Sequence, residues 1–176
     1  VTRTLRQNRG YAWEHYLANF INTQTNWNCW RLGSSTTNLP DLVAVNNIQK
    51  RMLVFECKSG GSRYKKQKNG TTEVVFADRL AIPVEEVERC ISLAQTFTLY
   101  DGDVVFSFKF SKGVGKLPKV YHYVLPKEWY GRYTSFGRVI CLDNGTCDIA
   151  CIEGDKTAFN RLDYNANISN ILASRE

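Results

Sequence analysis

No run in this 176-residue chain is apolar for long enough to cross a membrane, and its first residues lack the hydrophobic segment of a secretory signal. There is no membrane partner to expect. The protein is expected to act inside a cell, in the cytoplasm or on the nucleoid, or in the host cell if it is viral. The first residue is Val rather than Met, so an initiator or a longer extension is expected ahead of it. Cys-x-x-Cys is missing too. The six cysteines, Cys29, Cys57, Cys90, Cys141, Cys147 and Cys151, have no zinc spacing, and the two histidines, His15 and His122, stand far from the cysteine cluster. That argues against a zinc site and for reduced, partly buried thiols. Cys141 and Cys147 flank Asn144-Gly145 and could face each other across a hairpin, which leaves a bridge there open. Gly113-x-Gly115-Lys116 lacks phosphate-loop spacing, and Leu117 stands where a Ser or Thr is needed. There is no internal repeat and no low-complexity tract.

What is present is an ordinary globular composition, 43% hydrophobic and 23% charged, in a chain long enough for one domain with a proper core. The net charge of +6 is unevenly spread. Residues 127–176 hold six Lys and Arg against seven Asp and Glu, so the whole basic excess lies in residues 1–126. It clusters as Arg3, Arg6 and Arg9, as Arg63, Lys65, Lys66 and Lys68 in a Gly-flanked segment, and as Lys109, Lys112, Lys116 and Lys119 around a Gly-rich turn. Such patches usually keep a protein soluble, but three of them on one domain favour a polyanionic substrate.

The chemistry concentrates between Gly33 and Ser59. Asp41 opens the apolar run Leu-Val-Ala-Val, and Glu56 stands near the end of Met52-Leu-Val-Phe-Glu-Cys-Lys-Ser. Read as strands, these runs put Glu56 and Lys58 on one face and Phe55 and Cys57 on the other. The polar residues between them suit a hairpin turn that brings Asp41 toward Glu56. Two carboxylates and an ammonium at one point are the minimum for Mg²⁺-assisted phosphodiester hydrolysis. Hard oxygen ligands hold the ion, and a lysine orients or deprotonates water and offsets developing charge. The blander alternative is a turn aspartate and a solvated Glu-x-Lys pair.

At Pro40-Asp41 and Glu56-Cys57-Lys58 the sequence resembles the PD-(D/E)xK nuclease superfamily and, within it, the archaeal-type Holliday junction resolvases. The resemblance runs in order from Arg9 to Leu125. It takes in Gly10-x-x-x-Glu14, Arg31 with Gly33-Ser34-Ser35, the helical Val84 to Phe97 and the strand Val104 to Phe110. It departs from the family after Glu14, where His15 replaces the usual arginine. It implies that Asp41, Glu56 and the Cys57 backbone carbonyl ligate Mg²⁺, with Mn²⁺ able to substitute. Glu14 would complete the site directly or through water, and Lys58 would handle the nucleophilic water. It also implies a homodimer acting on four-way DNA junctions.

The remaining chain fills in the frame. Residues 1–9 read as a flexible basic arm, followed by a helix from Gly10 to Ile21 with Trp13, Tyr16, Leu17, Phe20 and Ile21 on one stripe and Glu14 at its edge. Cys29 to Leu32 starts a strand that carries Arg31, which with Ser34 and Ser35 suits a phosphate. Gly60 to Gly70 reads as a polar loop whose Arg63, Lys65, Lys66 and Lys68 suit a nucleic-acid backbone. Thr72 to Ala77 is a short strand. The helix after Pro83 leaves Glu85, Glu86 and Glu88 in water, and its broad apolar face, with Phe106, Phe108 and Phe110 nearby, offers a dimer patch. Tyr121 to Leu125 is a further strand, Arg138 to Ile149 a hairpin, and Asp155 to Ala173 a weakly helical or irregular tail.

The fold expected is α/β, restriction-endonuclease-like, with a mixed central sheet flanked by helices. Residues 1–126 would form the nuclease core and its basic arm, and 127–176 a small C-terminal extension packed on it. The function expected is Mg²⁺-dependent cleavage of four-way junctions by paired nicks. The rivals are the same chemistry on another DNA, and a non-catalytic nucleic-acid-binding module.

Overall fold

An apolar hairpin forms the centre of the molecule. Its shorter strand alternates buried and half-buried residues, and its longer one is buried along nearly its whole length. That is the burial of a strand lying second from an edge and of a central strand. The computed structural model describes residues 5–33, 38–113, 115–130, 138–153, 156–162 and 167–173. In order they form α1 (Leu5–Asn22), β1 (Trp27–Arg31), β2 (Leu42–Asn46), β3 (Arg51–Gly60), β4 (Ser62–Lys66), β5 (Thr72–Phe76), β6 (Arg79–Ile82), α2 (Val84–Thr96), β7 (Asp101–Phe110) and β8 (Lys119–Val124). A short 3-10 turn (Lys127–Trp129), β9 (Val139–Leu142), β10 (Cys147–Glu153), β11 (Lys156–Arg161) and α3 (Ile168–Leu172) follow.

β2 and β3 are the hairpin, paired from Leu42 opposite Phe55 to Asn46 opposite Arg51. Asn46 Oδ1 accepts from the Gln49 N–H at 3.0 Å, and Lys50 takes a left-handed φ of 54°, which close the turn. β1 adds outside β2, β7 runs parallel to β3, and β8 pairs with β7, giving a mixed five-stranded sheet in the order β1-β2-β3-β7-β8. The parallel β3–β7 pair needs a long crossover, and β4, β5, β6 and α2 supply it.

Alternation along β3 sorts its side chains to two faces. Leu53 and Phe55 meet Trp13, Leu17, Ala18 and Ile21 of α1, while Met52 and Val54 meet Val87, Cys90 and Ala94 of α2. The helices therefore flank the sheet, as the sequence leads one to expect. α2 lies close on β7 because residue 102 is glycine: a Cβ there would sit 2.3 Å from the Ala94 carbonyl oxygen. Beneath α1, Trp13 Nε1 donates to the Ser107 carbonyl at 3.3 Å, and Ser107 Oγ lies 2.7 Å from Nδ1 of the buried His122. Burial lowers the His122 pKa to about 4.

β6, β9, β10 and β11 form a second, four-stranded antiparallel sheet, so residues on both sides of Pro126 share one sheet. Its Val139, Cys141, Cys147 and Ile149 cover Phe106, Phe108 and Phe110, which are fully buried. The aromatic row read as a dimer patch is thus an internal packing surface, because the C-terminal sheet supplies its partner. Cys141 and Cys147 are directly opposed in register and both are free thiols. The tail is tied to the opposite face of the central sheet. Buried Arg51 donates to the carbonyls of Ile171 and Ala173 at 2.8 Å each, and Trp27 Nε1 donates to that of Leu172 at 3.1 Å.

Two segments and one side chain here differ from their sequence reading. α1 begins at Leu5, so Arg6 and Arg9 belong to a helix rather than a flexible arm; Leu, Arg and Gln are good helix formers with no proline to stop them. Tyr16 is 62% exposed although it lies on the apolar stripe, and it stacks on Trp13 with ring centroids 6.0 Å apart. Lys156–Arg161 is a strand paired with β10 where the tail read as helical or irregular. Among the described residues no helix is long and apolar enough to cross a membrane.

Candidate active site

The site forms where β2 stops and β3 continues. Leu42 is the first residue of β2, opposite Phe55, so Asp41 comes next to the last rungs of the ladder. Its backbone is fixed on both sides: the Asp41 N–H donates to the Phe55 carbonyl at 3.1 Å, and its carbonyl accepts from Leu32 N–H at 3.0 Å. Its side chain then takes the place of the missing strand, Oδ2 accepting from the Cys57 N–H at 2.8 Å. In a ladder the N–H and C=O of one residue face the same edge, so the Cys57 carbonyl also faces the Asp41 side.

α1 and β1 bring a second carboxylate. Glu14 Oε2 accepts from Arg31 Nη2 at 2.8 Å and Nε at 3.2 Å, and the Arg31 guanidinium lies 4.1 Å over the Tyr11 ring. Burial and then the Asp41 charge push the Glu14 carboxyl up, while Arg31 pulls it down, and the net is upward. Arg31, read from the sequence as a phosphate contact, is thus also the counter-ion of Glu14.

Glu56 is 6% exposed. Burial first, then the charges of Asp41 and Glu86, push its carboxyl up to about 10, against a smaller opposing effect of Lys58. The Asp41 carboxylate contributes to the upward shift of both Glu14 and Glu56, so the three carboxyl groups act on one another. Among the described residues no three His, Cys, Asp or Glu side chains gather tightly enough to hold a metal by themselves. The oxygen donors are the carboxyl groups of Glu14, Asp41 and Glu56 and the backbone carbonyl of Cys57.

Lys58 lies 3.8 Å from Glu56 Oε1 and 2.7 Å from Glu86 Oε2. Burial alone would push Lys58 down, but the close ion pair with Glu86, with Glu56 and Asp41 behind it, outweighs that and holds it up. Glu86 is the residue that the sequence reading left in water. It sits in the first turn of α2, four residues before Cys90, whose Sγ lies 3.8 Å from Glu56 Oε2. The i, i+4 relation to a buried Cys90 was the available signal that Glu86 borders the packed face. The Cys57 and Cys90 thiols are driven well above their usual pKa, by burial first and then by the surrounding carboxylates, so both stay protonated.

Glu14, Arg31, Asp41, Glu56 and Lys58 are therefore together. Arg3, Ser34 and Ser35 lie outside the described residues. Arg6 and Arg9 lie on the first turns of α1. Arg63, Lys65 and Lys66 lie on β4, and Lys68 in the turn to β5, so the segment read as a loop holds one strand and the turn of a two-stranded ribbon whose other strand is β5. Its turn closes through Gly70 N–H to the Gln67 carbonyl and Gln67 N–H to that of Thr71, with Gly70 at φ 83°. Lys112, in the third basic cluster, is paired with Asp143.

No protein-family model matches this chain, and no curated protein does. Among solved structures it is similar to Hjc, a Holliday junction resolvase from the archaeal hyperthermophile Archaeoglobus fulgidus, at 18% identity over 70% of this chain and 80% of that one, with a TM-score of 0.39. The likeness is distant and carries no argument about what this chain binds or cuts.

Proposed function

We propose that this chain is a Mg²⁺-dependent endodeoxyribonuclease that cuts branched DNA, four-way junctions above all. The observation that supports it is the meeting of Asp41, Glu56 and Lys58 at the open end of β2, where the sheet leaves a carboxylate, a buried carboxyl and an ammonium without an intervening strand. The donor set suits a hard cation. It offers Asp41, Glu56 and the Cys57 carbonyl as oxygens, with Glu14 joining directly or through water, and the nearby thiols are protonated. Mg²⁺ takes few protein ligands and keeps waters, which fits a site with fewer than three clustered side chains. Mn²⁺ fits the same oxygens. When bound, the ion supplies charge neutralisation and Lewis acidity at the phosphate.

The chain's own residues do the rest. Lys58 carries three donors: one is held by Glu86, leaving the others for the attacking water and a non-bridging phosphate oxygen. Arg31 keeps Glu14 turned to the site. Lys65, Lys66 and Lys68 are exposed toward the turn of the ribbon that follows β3 and hold the DNA backbone. One chain has a single such set, whereas resolving a four-way junction needs two cuts on related strands, so the working unit is a homodimer.

The test is a panel of labelled four-way junction, fork and linear duplex, each incubated with Mg²⁺ and with EDTA. Paired nicks in the junction with Mg²⁺ alone support the reading. Cutting of the fork or duplex in preference to the junction moves the chain to another DNA substrate, and no cutting of any substrate overturns the nuclease reading.

A further inference from the structure

The ribbon of β4 and β5 has one feature that phosphate binding does not use. Paired residues of an antiparallel ladder share a face, so Ser62 with Phe76, Tyr64 with Val74 and Lys66 with Thr72 lie on one side. The base of that side is anchored, because Phe76 packs where a Cβ on Gly113 would come within 3.1 Å of its ring. Farther out the same side is bare: Tyr64 is 80% exposed and Val74 45%. Cation and turn chemistry surround this apolar pair. Lys65, Lys66 and Lys68 are all exposed and form no ion pair among the described residues, and Glu73, the nearby acid, accepts from Gln67 Nε2 at 2.6 Å.

An aromatic ring beside a β-branched side chain, with Lys66 on the same face, Lys65 on the other and Lys68 in the turn, suits a polyanion with an accessible apolar face. Nucleic acid is such a ligand where base pairs are uncovered; in a continuous duplex each base is already stacked on its neighbours. Aromatic stacking on a base is favourable and tolerant of sequence. Tyr64 is six residues along the chain from Lys58, so their Cα atoms are at most roughly 20 Å apart. That places it within reach of a branch point near the cut.

We infer that the β4–β5 ribbon is a branch sensor, in which Tyr64, backed by Val74, stacks on a base pair exposed at a DNA branch while the flanking lysines hold the adjoining phosphates. The inference rests on the nuclease reading for its substrate but concerns binding, and can be tested without cleavage.

The experiment measures anisotropy of labelled four-way junction and linear duplex in EDTA with the full chain, as wild type, Tyr64→Ala and Tyr64→Phe. Tyr64 is exposed, so the variants are expected to fold, and an unchanged thermal midpoint verifies it. The result expected is a loss of junction affinity of about tenfold or more in Tyr64→Ala, little change for duplex, and retention of both in Tyr64→Phe. Equal losses on both DNAs, or no loss on either, would overturn the inference. So would reduced self-association of Tyr64→Ala in sedimentation with junction affinity intact, which would assign the surface to a second copy of the chain. The two readings fail separately: a wild type that cuts nothing with Mg²⁺ defeats the nuclease, whereas a Tyr64→Ala protein that binds junctions like wild type defeats the sensor.

Discussion

The ammonium of Lys58 lies 2.7 Å from Glu86 of α2 and 3.8 Å from Glu56 of its own strand. A flexible four-carbon side chain at the end of a strand has many rotamers, and this contact selects one of them, with the helix as the fixed point. Glu86→Gln keeps the shape but weakens the anchor. It is expected to slow single-turnover cleavage about tenfold, close to 1.4 kcal/mol of barrier, with junction affinity unchanged. A wild-type rate in Glu86→Gln would reduce the contact to an ordinary ion pair.

Lys65, Lys66 and Lys68 bear on affinity rather than chemistry. Replacing all three with alanine is expected to weaken junction binding and to flatten the dependence of log affinity on log salt by about one unit per lost phosphate contact. Titrations at several salt concentrations check it. A slope equal to that of wild type would make the ribbon's cations solvated surface.

His122 gives the fold a pH dependence of its own. Its pKa is lowered from 6.5 to about 4 by burial at 4% exposure. Between those values the unfolded chain binds a proton that the folded chain refuses, so this contribution to stability is complete above about 6.5 and falls as pH drops toward 4. The whole loss is about 3 kcal/mol. His122→Gln removes the titration, and urea unfolding from about pH 7 to about pH 4 should show a shallower fall in the variant. Parallel pH profiles for the two proteins would contradict it.

The central hairpin and its two carboxylates were legible because period-two alternation and a polar turn fix both face and register. Once Leu42 pairs with Phe55, Asp41 can only stand beside Glu56 and Cys57. Glu86 was not legible as a partner of Lys58, because a charged residue beside an apolar stripe looks the same whether it meets water or another element's cation. β5 was legible as the strand from Thr72 to Ala77, but its partner β4 was hidden by its polarity: a strand of exposed polar and charged residues has little apolar alternation to read. The burial of Phe106, Phe108 and Phe110 depended on β6 and β9, strands of four residues each and far apart in sequence, pairing across Pro126. Nothing local announces a contact of that range, so a covered surface read as a free one.

Asp41→Asn and Glu56→Gln test the central claim, that these side chains carry out phosphodiester hydrolysis rather than hold the fold together. In Asp41→Asn the new amide oxygen can still accept from the Cys57 N–H, and Glu56→Gln relieves a buried carboxyl held at about 10, so both variants are expected to fold. The measurement is single-turnover cleavage of a labelled four-way junction in Mg²⁺, with binding followed on the same substrate. The account predicts junction affinity close to wild type and a rate lower by about a thousandfold or more in each variant. Cleavage near the wild-type rate by both variants would contradict it.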